Sequence, residues 1–91
     1  MLFVELLKAK SGTPEERIAR RVKWQYPEGI RPIAEYWLPT PDPAAIVIFE
    51  TDNEDLIFQA SIQWGDIFDI TVIPAITGEK GLQLAQQMMQ G

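Results

Sequence analysis

An α+β fold, with four antiparallel strands in one sheet and two helices packed on one of its faces, is what this sequence predicts. Three observations carry the prediction. Ala45-Ile46-Val47-Ile48-Phe49-Glu50 is the densest apolar run, rich in β-branched residues and free of Gly and Pro, so it reads as a strand covered on both faces. Thr13-Pro14-Glu15-Glu16 and Asp52-Asn53-Glu54-Asp55 each have the chemistry of a helix start, and each follows a strand-like segment. Finally, Pro32 and Pro74 fall in two of the strand-like segments and leave the other two clean, as edge and inner strands require.

Taken in order, Leu2–Lys8 alternates Leu2, Val4 and Leu6 against Phe3, Glu5 and Leu7, the period of a strand. Ala9–Gly12 turns the chain. Thr13 is the N-cap of the first helix, Pro14 takes its first position and Glu16 completes a capping box. The helix is expected to reach about Gln25, burying Ile18, Ala19, Val22 and Tyr26 and turning Arg17, Arg20 and Arg21 outward. Tyr26-Pro27-Glu28-Gly29 ends it. Pro32–Leu38 is the second strand, and Pro39-Thr40-Pro41-Asp42-Pro43 a stiff loop. After the strand Ala45–Glu50, Asp52 or Asn53 caps a second helix whose inner face is Leu56, Ile57, Ala60, Ser61 and Trp64, with Gly65 as its stop. Ile67–Ile76 is the last strand. The domain is expected to close near residue 77, and 78–91 to be a tail or short helix through Leu82, Ala85, Met88 and Met89.

The order β-α-β-β-α-β is the ferredoxin-like arrangement, in which the first and third strands are central. The wholly apolar set Leu2, Val4, Leu6, Ala34, Tyr36, Phe68, Ile70 and Val72 is expected beneath the helices. The other face would carry Phe3, Leu7, Ile33, Trp37 and Ile73, mixed with Glu5, Glu35, Asp69 and Thr71. The phase of Ala45–Glu50 stays open. An exposed sheet with that much apolar surface calls for a second copy laid face to face, a homodimer through the non-helical face.

Composition bounds the chemistry. At 91 residues the chain makes one domain, near the lower size limit for a self-sufficient core. With neither Cys nor His, it has no disulfide, no thiolate or imidazole ligand and no Ser-His or Cys-His nucleophile. Net charge is −5, split into +3 over residues 1–31 and −8 over the remainder, which is read as two differently charged solvent faces. The opening Met1–Leu7 lacks the basic leader of a signal peptide, and no segment reaches the roughly 20 apolar residues of a membrane span, so a cytoplasmic setting is expected. Asp52-Asn53-Glu54-Asp55 lacks the spacing and glycine of a calcium loop, so no metal is expected, and no phosphate-loop or dinucleotide fingerprint points to a cofactor. Nucleic acid is disfavoured: the central strand lacks the Lys/Arg-Gly-aromatic signature of an RNA-binding sheet and the chain is acidic.

What remains is carboxylate chemistry. Glu35, Glu50 and Asp69 are the candidate bases, since a desolvated carboxyl can be tuned toward neutral pH. Phe3, Glu5, Trp37 and Thr71 are the candidate ligand contacts, a mix of apolar wall and polar anchor. Alternatively, the acids are rim residues pairing with Arg31 or with Arg17–Arg21 of a second copy.

Met1-Leu2-Phe3-Val4, Pro27-Glu28-Gly29, Glu35-Tyr36-Trp37, Glu50, Trp64-Gly65-Asp66-Ile67 and Val72-Ile73-Pro74, in this order and spacing, resemble a family of short, uncharacterised prokaryotic proteins of the dimeric α+β barrel superfamily. The resemblance covers roughly residues 1–77 and implies a ferredoxin-like protomer in a face-to-face dimer. Relatives in that superfamily include cofactor-independent monooxygenases, haem-degrading enzymes, muconolactone isomerases and effector-binding modules. The His of the haem branch is absent here, and Asn53 belongs to a helix start. The expected function is therefore binding of a small, partly apolar molecule between sheet and helices. A small enzyme with a carboxylate base and a purely structural or regulatory dimer are the alternatives.

Overall fold

The computed structural model describes residues 1–90. These run β1 (Leu2–Ala9), α1 (Pro14–Lys23), β2 (Arg31–Trp37), β3 (Ala45–Glu50), α2 (Glu54–Trp64), β4 (Phe68–Ala75) and α3 (Gly78–Gln90). Among the described residues the architecture is α+β, one four-stranded antiparallel sheet with three helices. Strand order is β2-β3-β1-β4, so the two proline-free strands lie inside and Pro32 and Pro74 sit on the edges, where a missing N–H breaks no inner ladder.

Both helix starts use the predicted caps. Thr13 Oγ1 accepts from the Glu16 N–H at 3.2 Å, and Asn53 Oδ1 from the Asp55 N–H at 3.0 Å. α1 stops at Lys23, short of the expected Gln25, because Trp24 is already extended at φ −95° and ψ 141°. Gly29 turns the chain at φ +101°, a left-handed conformation natural to glycine, and Thr51 Oγ1 donates to its carbonyl at 2.9 Å. The loop between β2 and β3 is tied to β1: the Ala44 N–H donates to the Leu7 carbonyl and the Ala9 N–H to the Pro41 carbonyl, both at 2.7 Å.

Register settles the two faces, and it reverses the expectation for β1 and β2. Phe3, Glu5 and Leu7 stand opposite Phe49, Val47 and Ala45 on one side, and opposite Pro74, Val72 and Ile70 on the other. Paired residues share a face. The helix side therefore carries Phe3, Glu5, Leu7, Glu35, Trp37, Val47 and Phe49 together with Phe68, Ile70 and Val72. Leu2, Val4, Leu6, Ala34 and Tyr36, expected beneath the helices, lie on the other face with Ile46, Ile48, Asp69, Thr71 and Ile73. The physical reason is volume. Phe3, Leu7, Val47 and Phe49 form the buried core, Phe49 only 2% exposed, and the Phe3 and Phe49 rings stack at 5.4 Å between centroids. Glu5 is tolerated on that face because it borders a cavity and not packed core.

α1 is also rotated from its expected setting. Pro14, Arg17, Ile18 and Arg21, spaced as one helical stripe, face the cavity, while Val22 is 75% exposed. No residue of α1 is buried, since the helix stands over a cavity. On α2 the expected inner face, Leu56, Ile57, Ala60, Ser61 and Trp64, is the less exposed one. α3 buries none of its residues and exposes Leu82, Met88 and Met89. Among the described residues no helix is long and apolar enough to cross a membrane.

Candidate functional site

A cavity of about 400 Å³ separates the inner sheet face from α1 and α2, with the proline loop at one end. That volume is in the range of small-molecule pockets. Leu7, Val47 and Phe49 come from the inner strands, Ile18 from α1, and Ile57 and Ala60 from α2. Trp24, Tyr26, Trp37 and Trp64 add aromatic wall. Several of these rings brace one another: Trp24 meets Tyr26 edge-on at 4.8 Å and Trp64 at 5.6 Å.

Two carboxyls face this space, and their surroundings differ. Glu35 on β2 is saturated with donors. Arg21 Nε and Nη2 grip its two oxygens at 3.0 and 2.9 Å, Trp37 Nε1 donates at 2.6 Å, and the Tyr26 hydroxyl donates as well. Burial works against the Glu35 charge, but the hydrogen bonds from Arg21, Tyr26 and Trp37 outweigh it and hold the carboxyl below its usual range. The same contacts raise Arg21 further, and burial followed by the bond to Glu35 raises Tyr26. Arg21 also reaches the Trp24 carbonyl at 2.9 Å and lies over the Trp24 and Tyr26 rings.

Glu5 on β1 has none of this support. Burial, and next the negative charge of Glu35, push its carboxyl from 4.5 up to about 7. No described side chain donates a hydrogen bond to it. A carboxyl that titrates near neutrality inside an apolar cavity can donate or accept a proton, or receive a cationic group.

The structure brings together Glu5, Glu35 and Trp37 among the residues singled out in the sequence. Phe3 lies in the packed core beside Phe49. Thr71, Glu50 and Asp69 lie on the opposite face: Thr71 beside Leu6, Asp69 beside Lys8, and Glu50 accepting from the Arg31 guanidinium across the β2–β3 pair. Glu35, expected among the acids with raised pKa, shifts the other way; Glu5 is the raised one. Arg21 pairs with Glu35 and Arg31 with Glu50 within this chain. Arg21 was expected to face outward, and no local pattern marks its partner 14 residues away in another element. The aromatic spacing of Trp24 and Tyr26 beside it is the only signal the sequence carries.

No curated protein and no solved structure matches the chain. The family described as a domain of unknown function, DUF3303, matches residues 1–89, α3 included where the resemblance ended near residue 77, and the chain belongs to that family.

Proposed function

We propose that this chain is a cytoplasmic, homodimeric module of ferredoxin-like α+β barrel type that binds a small, partly apolar molecule between its sheet and its helices. The observation that carries the reading is the cavity of about 400 Å³, walled by aliphatic and aromatic side chains and presenting one unpartnered carboxyl, Glu5. The strand order β2-β3-β1-β4, with β1 and β3 inside, supports the ferredoxin-like description. The outer sheet face, where Leu2, Val4, Leu6, Ile46, Ile48 and Ile73 are all at least partly exposed, supports a face-to-face dimer.

Native mass spectrometry of the purified chain and thermal shift against a metabolite panel test the binding. A retained small molecule, or a stabilising compound whose effect is lost in the cavity-filling variant Ala60→Trp, is the expected result. A chain indifferent to every compound, with Ala60→Trp behaving identically, would overturn it. A second reading, a small enzyme with a carboxylate base, is favoured by one observation: Glu5 is poised near pH 7. Glu5→Gln would then abolish turnover while leaving ligand-induced stabilisation by uncharged compounds in place.

A further inference from the structure

The hydrogen bonds around the cavity narrow the class of molecule it can take. We infer that the ligand is an organic amine, an aromatic or aliphatic body carrying one ammonium group that seats on Glu5. This rests on the binding function proposed above and deepens it.

The inference comes from where the donors go. Arg21, the cation paired with Glu35, spends Nε and Nη2 on that carboxylate and Nη1 on the Trp24 carbonyl. The Tyr26 hydroxyl and Trp37 Nε1 also end on Glu35, and Trp24 Nε1 ends on Gln63 Oε1 at 2.7 Å. Arg17 is half-buried at the β1–α1 end of the cavity, anchored through Nη1 to the Ser11 and Gly12 carbonyls at 3.1 and 2.8 Å. Among the described lining residues, the Trp64 indole N–H is a neutral side-chain donor without an acceptor, and Arg17 Nε and Nη2, at the β1–α1 end, are the charged ones. A carboxylate or phosphate entering beside Glu5 would meet two glutamates and, in Arg21, a cation already spent on one of them, and would lose its hydration without a replacement there.

An ammonium finds the reverse. Glu35 is already neutralised by Arg21, so Glu5 is the one acid in the cavity without a counter-charge. An ammonium on Glu5 forms a charge-assisted pair in a partly dry space, and the faces of the surrounding aromatic rings favour a cation further. A wholly apolar ligand would leave the Glu5 carboxyl unpaired. The position of Glu5 near neutrality adds a pH signature: an amine draws it into its ionised form, so affinity should rise between pH 5 and pH 8.

Three compounds with one indole body test this by protein-observed NMR titration up to millimolar concentration: tryptamine, tryptophol and indoleacetate. At pH 8 tryptamine is expected to bind at least about tenfold tighter than tryptophol, with indoleacetate the weakest, and to lose about tenfold at pH 5. Glu5→Gln should bring tryptamine to the level of tryptophol and leave tryptophol within about threefold of its wild-type value. Indoleacetate binding as tightly as tryptamine, or a preference for tryptamine that survives Glu5→Gln, overturns the amine assignment while the pocket stands. Binding by none of the three removes the pocket reading with it. If Glu5→Gln does not fold, the wild-type series and its pH dependence decide alone.

Discussion

Glu5 and Glu35 border the same cavity, yet their surroundings drive their protons in opposite directions, and stability against pH should record both. For Glu5 the folded value of about 7 lies above the usual 4.5, so between those values the folded chain binds the proton that the unfolded chain releases. Its contribution is most favourable below about pH 4.5, declines as pH rises and is flat above about 7. Glu35 has the opposite sign: its folded value is lowered, so its stabilisation is present above the usual carboxylate range and lost as pH falls through that range. Melting temperature should therefore peak near pH 5 and fall toward pH 8. Glu5→Gln should flatten the upper slope and gain up to about 3 kcal/mol at pH 8, less where solvent enters the cavity. Circular-dichroism melts of both proteins from pH 4 to pH 8 measure this, and parallel slopes would sink the assignment. None of this was legible in the sequence, because it depends on which of two like residues Arg21 reaches.

At the scale of elements, local chemistry was readable and orientation was not. β3 spans Ala45–Glu50 as the apolar run indicated, and Thr13 and Asn53 cap their helices through their own side chains. Those signals lie within four residues of where they act. The phase of β1 was illegible for a physical reason: apart from Glu5, every residue from Leu2 to Leu7 is apolar, so alternation marks a strand without marking its inner side. The aromatic bulk of Phe3 and Phe49 decides the face, and that pairing forms only in the sheet. Two elements allow direct tests. At Gly29 an added Cβ would lie 2.7 Å from Leu56 Cδ1, on a backbone at φ +101°. Gly29→Ala should therefore cost more than about 1 kcal/mol in urea denaturation, and a neutral result would contradict the turn geometry. Deleting residues 78–91 should shift the melting temperature by less than about 4 °C, since α3 buries nothing within the chain. A larger loss would mean that α3 is packed against another copy.

The whole molecule presents two apolar surfaces, one lining the cavity and one on the outer sheet face. In the dimer proposed above a second copy covers the outer face, which suits a chain of 91 residues whose described core is five buried hydrophobic side chains with a ring of half-buried ones. Ile48, on an inner strand of that face, is the place to test it. Ile48→Glu should weaken association by about a hundredfold or more, because a carboxylate would be desolvated against the facing sheet. Sedimentation velocity at micromolar concentration should show wild-type dimer and variant monomer, with the circular-dichroism spectrum unchanged. A wild-type monomer would leave the outer face unexplained and remove the barrel.

Both surfaces are written on one strand. β1 carries Glu5 into the cavity and, on either side of it, Val4 and Leu6 onto the outer face. Side-chain direction alternates with every residue, so inserting or removing a single amino acid before Glu5 would exchange the two sets. The share of the floor that β1 supplies would then be valine and leucine alone, and the Glu5 carboxyl would be turned out against whatever covers the sheet. Hydropathy would hardly register the change, since both sets are apolar. A frame of one residue in β1 thus decides whether the pocket has an unpaired carboxyl to offer.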